Sequence, residues 1–225
     1  MVSVAHFFKF LALAFSALLP VVNPVGSALV FLGIVGNAPD QVFRDLARKI
    51  AISTTLFFLV VELVGTGLLT FFGISLPVVQ VAGGLVLASM GWNLLNQPDS
   101  TPKPEAADVS DAALGSLEQK VFYPLTFPVT VGPGCIVVML TLTAHASVRG
   151  NVLLNVEAHA GILAATALLS VIVFLCYRYA PRLTESIPPH TAHGVLRIIA
   201  FVLLCIGVQI TSNGMQSLLR AALKQ

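Results

Sequence analysis

Six stretches of the chain stay apolar over twenty or more residues: Phe7–Val35, Ile50–Phe72, Leu76–Leu95, Val121–Ala144, Val152–Tyr179 and Val195–Leu218. A helix needs about 20 such residues to cross the hydrocarbon core of a bilayer, whereas a barrel strand needs only about 10. In lipid every backbone N–H and C=O must be paired within the protein, so stretches this long can only be helices. The pattern predicts an all-α polytopic membrane protein with six transmembrane helices. Composition agrees, with 10% charged residues, 56% hydrophobic residues and a mean hydropathy of +0.92, against roughly 25% charged for a soluble domain. The stretch "FKFLALAFSALL" has the basic and apolar parts of a signal peptide. Its apolar character runs on to Phe31, however, and five further stretches follow, so a membrane span is expected there instead.

The remaining bulk properties exclude more than they assign. Cys135, Cys176 and Cys205 all fall inside apolar stretches and read as small buried hydrophobes, not as a disulfide framework or metal site. No cofactor or metal is expected, and a net charge of +2 implies no nucleic acid. The expected partners are the lipid bilayer and a small-molecule solute, with a homo-oligomer compatible with the chain. Arg44, Arg48, Lys49, Lys103, Lys120, Arg178, Arg182 and Arg197 fall on one side of the six spans, and Lys9, Arg149, Arg220 and Lys224 on the other. The richer side is cytoplasmic by the positive-inside rule, which puts both termini in the periplasm.

One long polar stretch, "NQPDSTPKPEAADVSDAALGSLEQK", divides the chain. We read residues 1–97 as a first three-helix repeat, 98–119 as a flexible cytoplasmic linker, and 120–225 as a second three-helix repeat, all in one integral membrane domain. Each half opens on an interrupted span. "PVVNPVGSA" (20–28) sets two prolines, an asparagine and a glycine inside the first, and "YPLTFPVTVGPGC" (123–135) sets three prolines and two glycines inside the fourth. Proline removes a backbone donor and clashes with the preceding turn, at about 3 kcal/mol in a helix interior. "GLVLASMGWN" (84–93) also lines up with "AFVLLCIGVQ" (200–209). Because each half has an odd number of spans, the repeats must be inverted, a plan common among secondary transporters.

Broken first and fourth helices offer half-helix N-termini and unpaired carbonyls at membrane depth, which suit a small polar solute. The candidate substrate-binding residues are Asn23, Pro24, Gly26 and Ser27 in the first half, and Thr130, Gly132, Pro133 and Gly134 in the second. Asn23 can donate and accept, Gly26 lets a ligand reach the backbone, and Ser27 and Thr130 add hydroxyls.

Four stretches carry a family resemblance: "LLPVVNPVG" (18–26), "FGISLPVVQVAGGLVLASMGW" (72–92), "PLTFPVTVGPGCI" (124–136) and "RIIAFVLLCIGVQITSNG" (197–214). In these the chain resembles the MarC family (UPF0056-type) of bacterial inner-membrane proteins. The resemblance implies a six-helix protein with outside termini, related to a wider superfamily of lysine exporters. It also implies kinship with proteins regarded as neutral amino acid transporters. It supplies no binding residues.

Among polar residues inside the spans, Glu62 stands out, because an ionised carboxylate near the bilayer centre costs about 2.5–3.5 kcal/mol on insertion scales. No basic residue lies within ten positions of it. Proton coupling and a simple interhelical hydrogen bond are both open readings. Asn93 and Gln209 occupy matching places in the two halves and are candidate pathway residues. Glu157 and His159 lie near the end of the fifth span and are expected to be solvated; two apart, they point to different sides of a helix. Gly83, Gly84, Gly91 and Gly207 are expected to serve close helix packing. No nucleophile elbow, phosphate loop, Cys/His cluster or carboxylate pair is present, so an enzyme is not expected. The leading expectation is a secondary transporter or exporter of a small polar solute, with a neutral amino acid as the candidate class, working by rocking of one repeat against the other. The alternative is a non-transporting inner-membrane protein that regulates or scaffolds the envelope.

Overall fold

The computed structural model describes residues 2–36, 38–96, 117, 119–147, 152–186 and 189–223, and every regular element among them is helical. The first apolar stretch forms α1 (Val2–Val22) and α2 (Pro24–Val35), followed by α3 (Asp40–Phe71) and α4 (Leu76–Leu95). The second half contains α5 (Val121–Thr130), α6 (Pro133–Ala146), α7 (Val152–Arg178), the short α8 (Ala180–Ser186) and α9 (Pro189–Ala222). Among the described residues, five helical stretches are long and apolar enough to cross a membrane, and α5 with α6, bent by 66°, makes six if that pair is one span. The expected linker, 98–119, falls almost wholly outside the described residues.

Helix ends depart from the apolar stretches for local reasons. α3 starts ten residues before Ile50, because its first turns are a charged, solvated helix in which Gln41 donates to both Asp45 carboxylate oxygens (3.1 and 3.2 Å). At 32 residues it is about 48 Å long, well beyond the ~30 Å of the hydrocarbon core. It stops at Gly73, whose φ of +67° is the left-handed conformation that glycine adopts freely after a helix end, and the Ile74 N–H returns to the Leu69 carbonyl (2.9 Å).

α7 is the hub. It packs on α1, α3 and α2, and buries Ala158, Ile162, Ala165, Leu169, Val173 and Tyr177 along one helical stripe. A Cβ on Gly161 would stand 2.5 Å from the Phe7 carbonyl oxygen, so α1 crosses here in backbone contact. α3 presents Phe43, Leu46, Ala47, Ile50, Thr54, Phe58 and Glu62 inward against α7, α6 and α5.

α4 and α9 form a second body. They pack on each other more than on anything else; α4 otherwise meets α6, and α9 meets α1. Four glycines make the pairing close. A Cβ would stand 2.7 Å from Gly207 O at Gly84, 2.6 Å from Leu204 N at Gly91, 2.3 Å from Ala88 N at Gly207, and 2.7 Å from Pro77 O at Gly214. The order of these contacts makes the pair antiparallel, over a seam of about 20 Å at 1.5 Å per residue. Without a hydrophobic drive between helices in lipid, such backbone proximity is what holds a pair together. Outward faces carry large apolar side chains such as Leu63, Phe71, Leu85, Phe201 and Val208.

The starts of α1, α4 and α7 and the ends of α3, α6 and α9 share one face of the molecule, here named the terminal face. On the opposite face Arg178 lies over the rings of Phe174 (5.9 Å) and Tyr179 (5.1 Å). Arg182 lies over Tyr179 (5.7 Å) and pairs with Asp40 (3.2 Å). Aromatic rings with basic side chains are typical of a membrane–water interface.

Candidate functional site

Asn23 ends α1 and begins α2. Its φ of 45° and ψ of 64° are left-handed, a conformation that asparagine tolerates better than other residues with a Cβ. In that pose its side-chain Oδ1 accepts the Gly26 N–H (3.1 Å), capping α2 while Pro24 fills the first helical position, where an N–H would be unpaired anyway. A Cβ on Gly26 would lie 2.2 Å from Asn23 Nδ2. Gly26 is therefore small to admit the Asn23 carboxamide. Asn23 and Gly26 are thus engaged with each other at the break.

The second interruption is built differently. α5 turns through i→i−5 hydrogen bonds, Leu125 N–H to Lys120 O (3.2 Å) and Val131 N–H to Thr126 O (2.8 Å). The Tyr123–Pro124 and Phe127–Pro128 peptide bonds are cis. Carbonyls in this segment are met by hydroxyls, Thr126 donating to Val121 O (2.7 Å) and Thr130 to Leu125 O (2.6 Å). Hydroxyls commonly restore the pairing that prolines remove in membrane helices.

The two interruptions touch. The buried Ser27 hydroxyl sits 2.8 Å from Val22 O, at the end of α1, and 3.2 Å from Val129 O in α5. Thr130 Oγ1 is 2.7 Å from the Tyr177 hydroxyl, and the Tyr177 ring stacks on Phe31 (4.6 Å, 15°). Ser27, Thr130 and Tyr177 thus form one buried polar knot joining α2, α5 and α7. Tyr177 was not among the sequence candidates; a tyrosine at the end of an apolar stretch resembles any interfacial anchor. At Gly134 a Cβ would lie 2.2 Å from Leu87 Cδ2 and 3.4 Å from Val21 Cγ1, so this glycine seats α4 against the junction. Pro133 opens α6, whose N-cap Gly132 makes no side-chain cap; Gly132 itself lies near Met90 of α4.

Glu62 lies apart from this knot, against α6 about ten residues beyond Pro133, or about 15 Å along the helix. Its carboxylate meets His159 Nδ1 (2.5 Å) and the Thr143 hydroxyl. The absence of a nearby base in the sequence was therefore misleading, and His159 is not merely solvated: it faces α3, with its side chain 32% exposed. Asn93 and Gln209 are exposed on outward faces, Gln209 donating to Asn213 (2.9 Å). The structure does not bring them to the junction.

A cavity of about 500 Å³ opens toward the terminal face between the α4–α9 pair and α6, lined by Gln80, His145, Asn213, Gln216, Ser217 and Arg220 among others. Gln80 is buried at its inner side and reaches the Thr141 hydroxyl (3.5 Å).

Apolar spans, interruptions bonded by hydroxyls and a buried carboxylate in their midst define an integral membrane protein that crosses the bilayer several times. The chain belongs to the MarC family of integral membrane proteins, which matches residues 8–219. It is similar to the UPF0056 inner membrane protein MarC of Salmonella typhimurium strain LT2, at 27% identity over 95% of this chain and 97% of the relative. MarC of Escherichia coli O1:K1 / APEC is 26% identical over the same shares. A UPF0056 membrane protein of Pyrococcus horikoshii is 32% identical over 67% of this chain and 71% of its own length. No solved structure matches.

Proposed function

We propose that this protein is a secondary transporter of a small polar solute, with a neutral amino acid as the leading class, working by alternating access in a bacterial inner membrane with both termini periplasmic. The observation that carries the reading is the seam between two bodies. The α4–α9 pair is closely joined within itself, lightly seated on the other spans, and bordered on the seam by a polar cavity. Alternating access needs two bodies that move as units about a site between them. The cavity lining carries the amides of Gln80, Asn213 and Gln216 and the Ser217 hydroxyl beside His145 and one guanidinium, Arg220, and no ionised side chain lies in the knot of Ser27, Thr130 and Tyr177, which supports a small polar solute. The relatives named inner membrane proteins support the location.

Helix pairing supports two inverted repeats. Exchanging the halves turns α1 on α7 into α5–α6 on α3, and α4 on α6 into α9 on α1, while the α3–α7 and α4–α9 pairs map onto themselves. Rocking repeat against repeat would part α4 from α9 along their glycines. Motion of α4–α9 as one unit against the remaining spans keeps that seam intact, and we place the moving boundary there.

Purified protein in liposomes is tested for counterflow of a panel of labelled amino acids and other small polar solutes. Counterflow of at least one solute supports the reading, and none across the panel overturns it. With Cys135, Cys176 and Cys205 replaced by alanine, Gln80→Cys with Thr141→Cys lets a reducible bis-methanethiosulfonate cross-linker tie α4 to α6 across the span that the Gln80 side chain now bridges. Cross-linking is expected to stop counterflow and reduction to restore it; full counterflow in the cross-linked form refutes motion at this boundary.

A further inference from the structure

The junction leaves one costly group without a task. Glu62 is 2% exposed in its side chain and sits nine residues before the end of α3, about 14 Å from that end at 1.5 Å per residue. Its Oε1 stands 2.5 Å from His159 Nδ1. Two lone pairs cannot face each other at that distance, so a proton lies between them. The other oxygen meets the Thr143 hydroxyl, which also lies 2.9 Å from the Met139 carbonyl. A hydroxyl has one hydrogen and here has two acceptors. A charged carboxylate draws that hydrogen more strongly than a peptide carbonyl does, so the hydroxyl favours Glu62 while the carboxylate is ionised. On the outer side, His159 Nε2 is 3.5 Å from the Ser147 hydroxyl, at the exposed end of α6 on the terminal face.

We propose that Glu62, His159 and Thr143 form a proton-binding site loaded from the terminal face through His159 Nε2. In the empty state the His159 Nδ1–H donates to the Glu62 carboxylate, and the pair carries one negative charge. An arriving proton binds Nε2, the Nδ1 proton passes to Glu62 Oε1, and a neutral acid then donates to a neutral imidazole. One proton enters, one moves inward, and the net charge of the pair goes to zero. A charged group in the membrane interior costs far more than a neutral hydrogen-bonded one. The site thus alternates between a state suited to water at the rim and one suited to passage through the protein.

Titratable groups on the elements packed around the site are few. On α1, which crosses α7 at Gly161, His6 lies by the Phe10 ring (5.0 Å) and Lys9 is exposed. α6 contributes the uncharged Thr143, with His145 exposed on its last turn; α5 brings Phe127 onto Phe57 (5.8 Å), and its titratable residue Tyr123 is exposed. On α7, Glu157 precedes His159 by two positions and so projects from another side of the helix. As the coupling ion of transport the proton rests on the transporter reading, but the site itself is testable without any solute.

Infrared difference spectra of the full-length protein in lipid nanodiscs, stepped between about pH 8 and about pH 5, span the range in which an imidazole changes charge. A protonated-carboxyl band is expected in the wild type. It should be lost in Glu62→Gln, displaced along the pH axis in His159→Gln, and unchanged in Glu157→Gln. Glu62→Asp, which withdraws the carboxyl by about one bond of 1.5 Å, should keep a displaced band. Superimposable wild-type and Glu62→Gln spectra, or loss of the band in Glu157→Gln instead, overturn the site. In liposomes, an imposed pH gradient should drive uptake in the wild type, and Glu62→Gln should lose that drive while keeping counterflow. Gradient-driven uptake retained in Glu62→Gln overturns the coupling and leaves transport standing. Drive by a sodium gradient at equal pH, lost in Glu62→Gln, overturns the proton as the ion. Absence of counterflow in the wild type removes the transporter reading, and the infrared result then decides the proton site alone.

Discussion

Gly207→Ala tests the seam on which the two-body reading depends. The added Cβ would stand 2.3 Å from Ala88 N, 2.7 Å from Gly84 O and 2.9 Å from Ala88 Cα. All three atoms are backbone, which cannot swing aside as a side chain does. Ordinary contact needs about 3.5 Å, so the helices must part by about 1 Å, and a gap of that size forfeits a quarter to a half of each dispersion contact it opens. Overpacking of this kind costs about 1–3 kcal/mol, and the rigid neighbours put Gly207→Ala toward the upper end. Gly67→Ala on α3 is the control. Nothing lies within 4 Å of its Cβ, so relief from glycine's flexibility should stabilise the helix by about 0.5–1 kcal/mol. Both variants add one methyl group to an apolar helix and differ only in what that methyl meets. The chain has a single tryptophan, Trp92 on α4, next to the Gly91–Leu204 contact. Its fluorescence during denaturant unfolding in detergent micelles therefore reports on the seam. The Gly207→Ala midpoint should fall, with a gap of about 2–4 kcal/mol to Gly67→Ala when the overpacking and glycine terms are combined. Equal midpoints for the two variants would refute the close seam.

Asn23→Gly keeps the left-handed backbone and should cost only a few tenths of a kcal/mol, whereas Asn23→Ala loses the cap and strains φ, at about 1–2 kcal/mol; equal unfolding midpoints would show that the cap does not hold α2. Tyr177→Phe and Thr130→Val each leave the other's hydroxyl short of a buried partner, at about 1–3 kcal/mol. The double variant should cost less than their sum in an unfolding cycle, and strict additivity would deny the contact. Arg182→Ala breaks an exposed ion pair with Asp40 and should leave the thermal midpoint unmoved. Gly134→Leu should drive Leu87 out of its seat, shifting α4 and abolishing counterflow while membrane insertion persists; transport at wild-type rate would separate the junction from function.

What sequence reading captures here is whatever chemistry is local. Apolar length reports a span because lipid permits only helices, and proline reports a lost donor wherever it falls. Gly84, Gly91 and Gly207 could be assigned to packing because a missing Cβ has few other uses inside a membrane. The expense of Glu62 is likewise a property of one residue and its depth. Its partner is not. His159 stands 97 positions away and reaches Glu62 only because α3 and α7 cross at one height. Gly26 is a similar case: a glycine beside an asparagine gives no sign of a cap in sequence, and only the left-handed backbone of Asn23 reveals it. Ser27 and Thr130 read as free hydroxyls until the carbonyls of Val22, Val129 and Leu125 are seen to take them. The pairing of α4 with α9 joins the third span to the last, a tertiary choice that no single stretch encodes.

That pairing imposes an order on biosynthesis. Gly91 and Gly207 are more than a hundred residues apart in the chain, so at about 5–20 residues per second α4 waits in the membrane for roughly 6–23 s before α9 is made. During that interval its glycine face has only lipid or earlier spans against it. A ribosome that stalls between α7 and α9 leaves α4 without the helix that completes it. Quality-control proteases that sense loose membrane helices should therefore remove truncated chains ending before α9 far faster than the full-length protein.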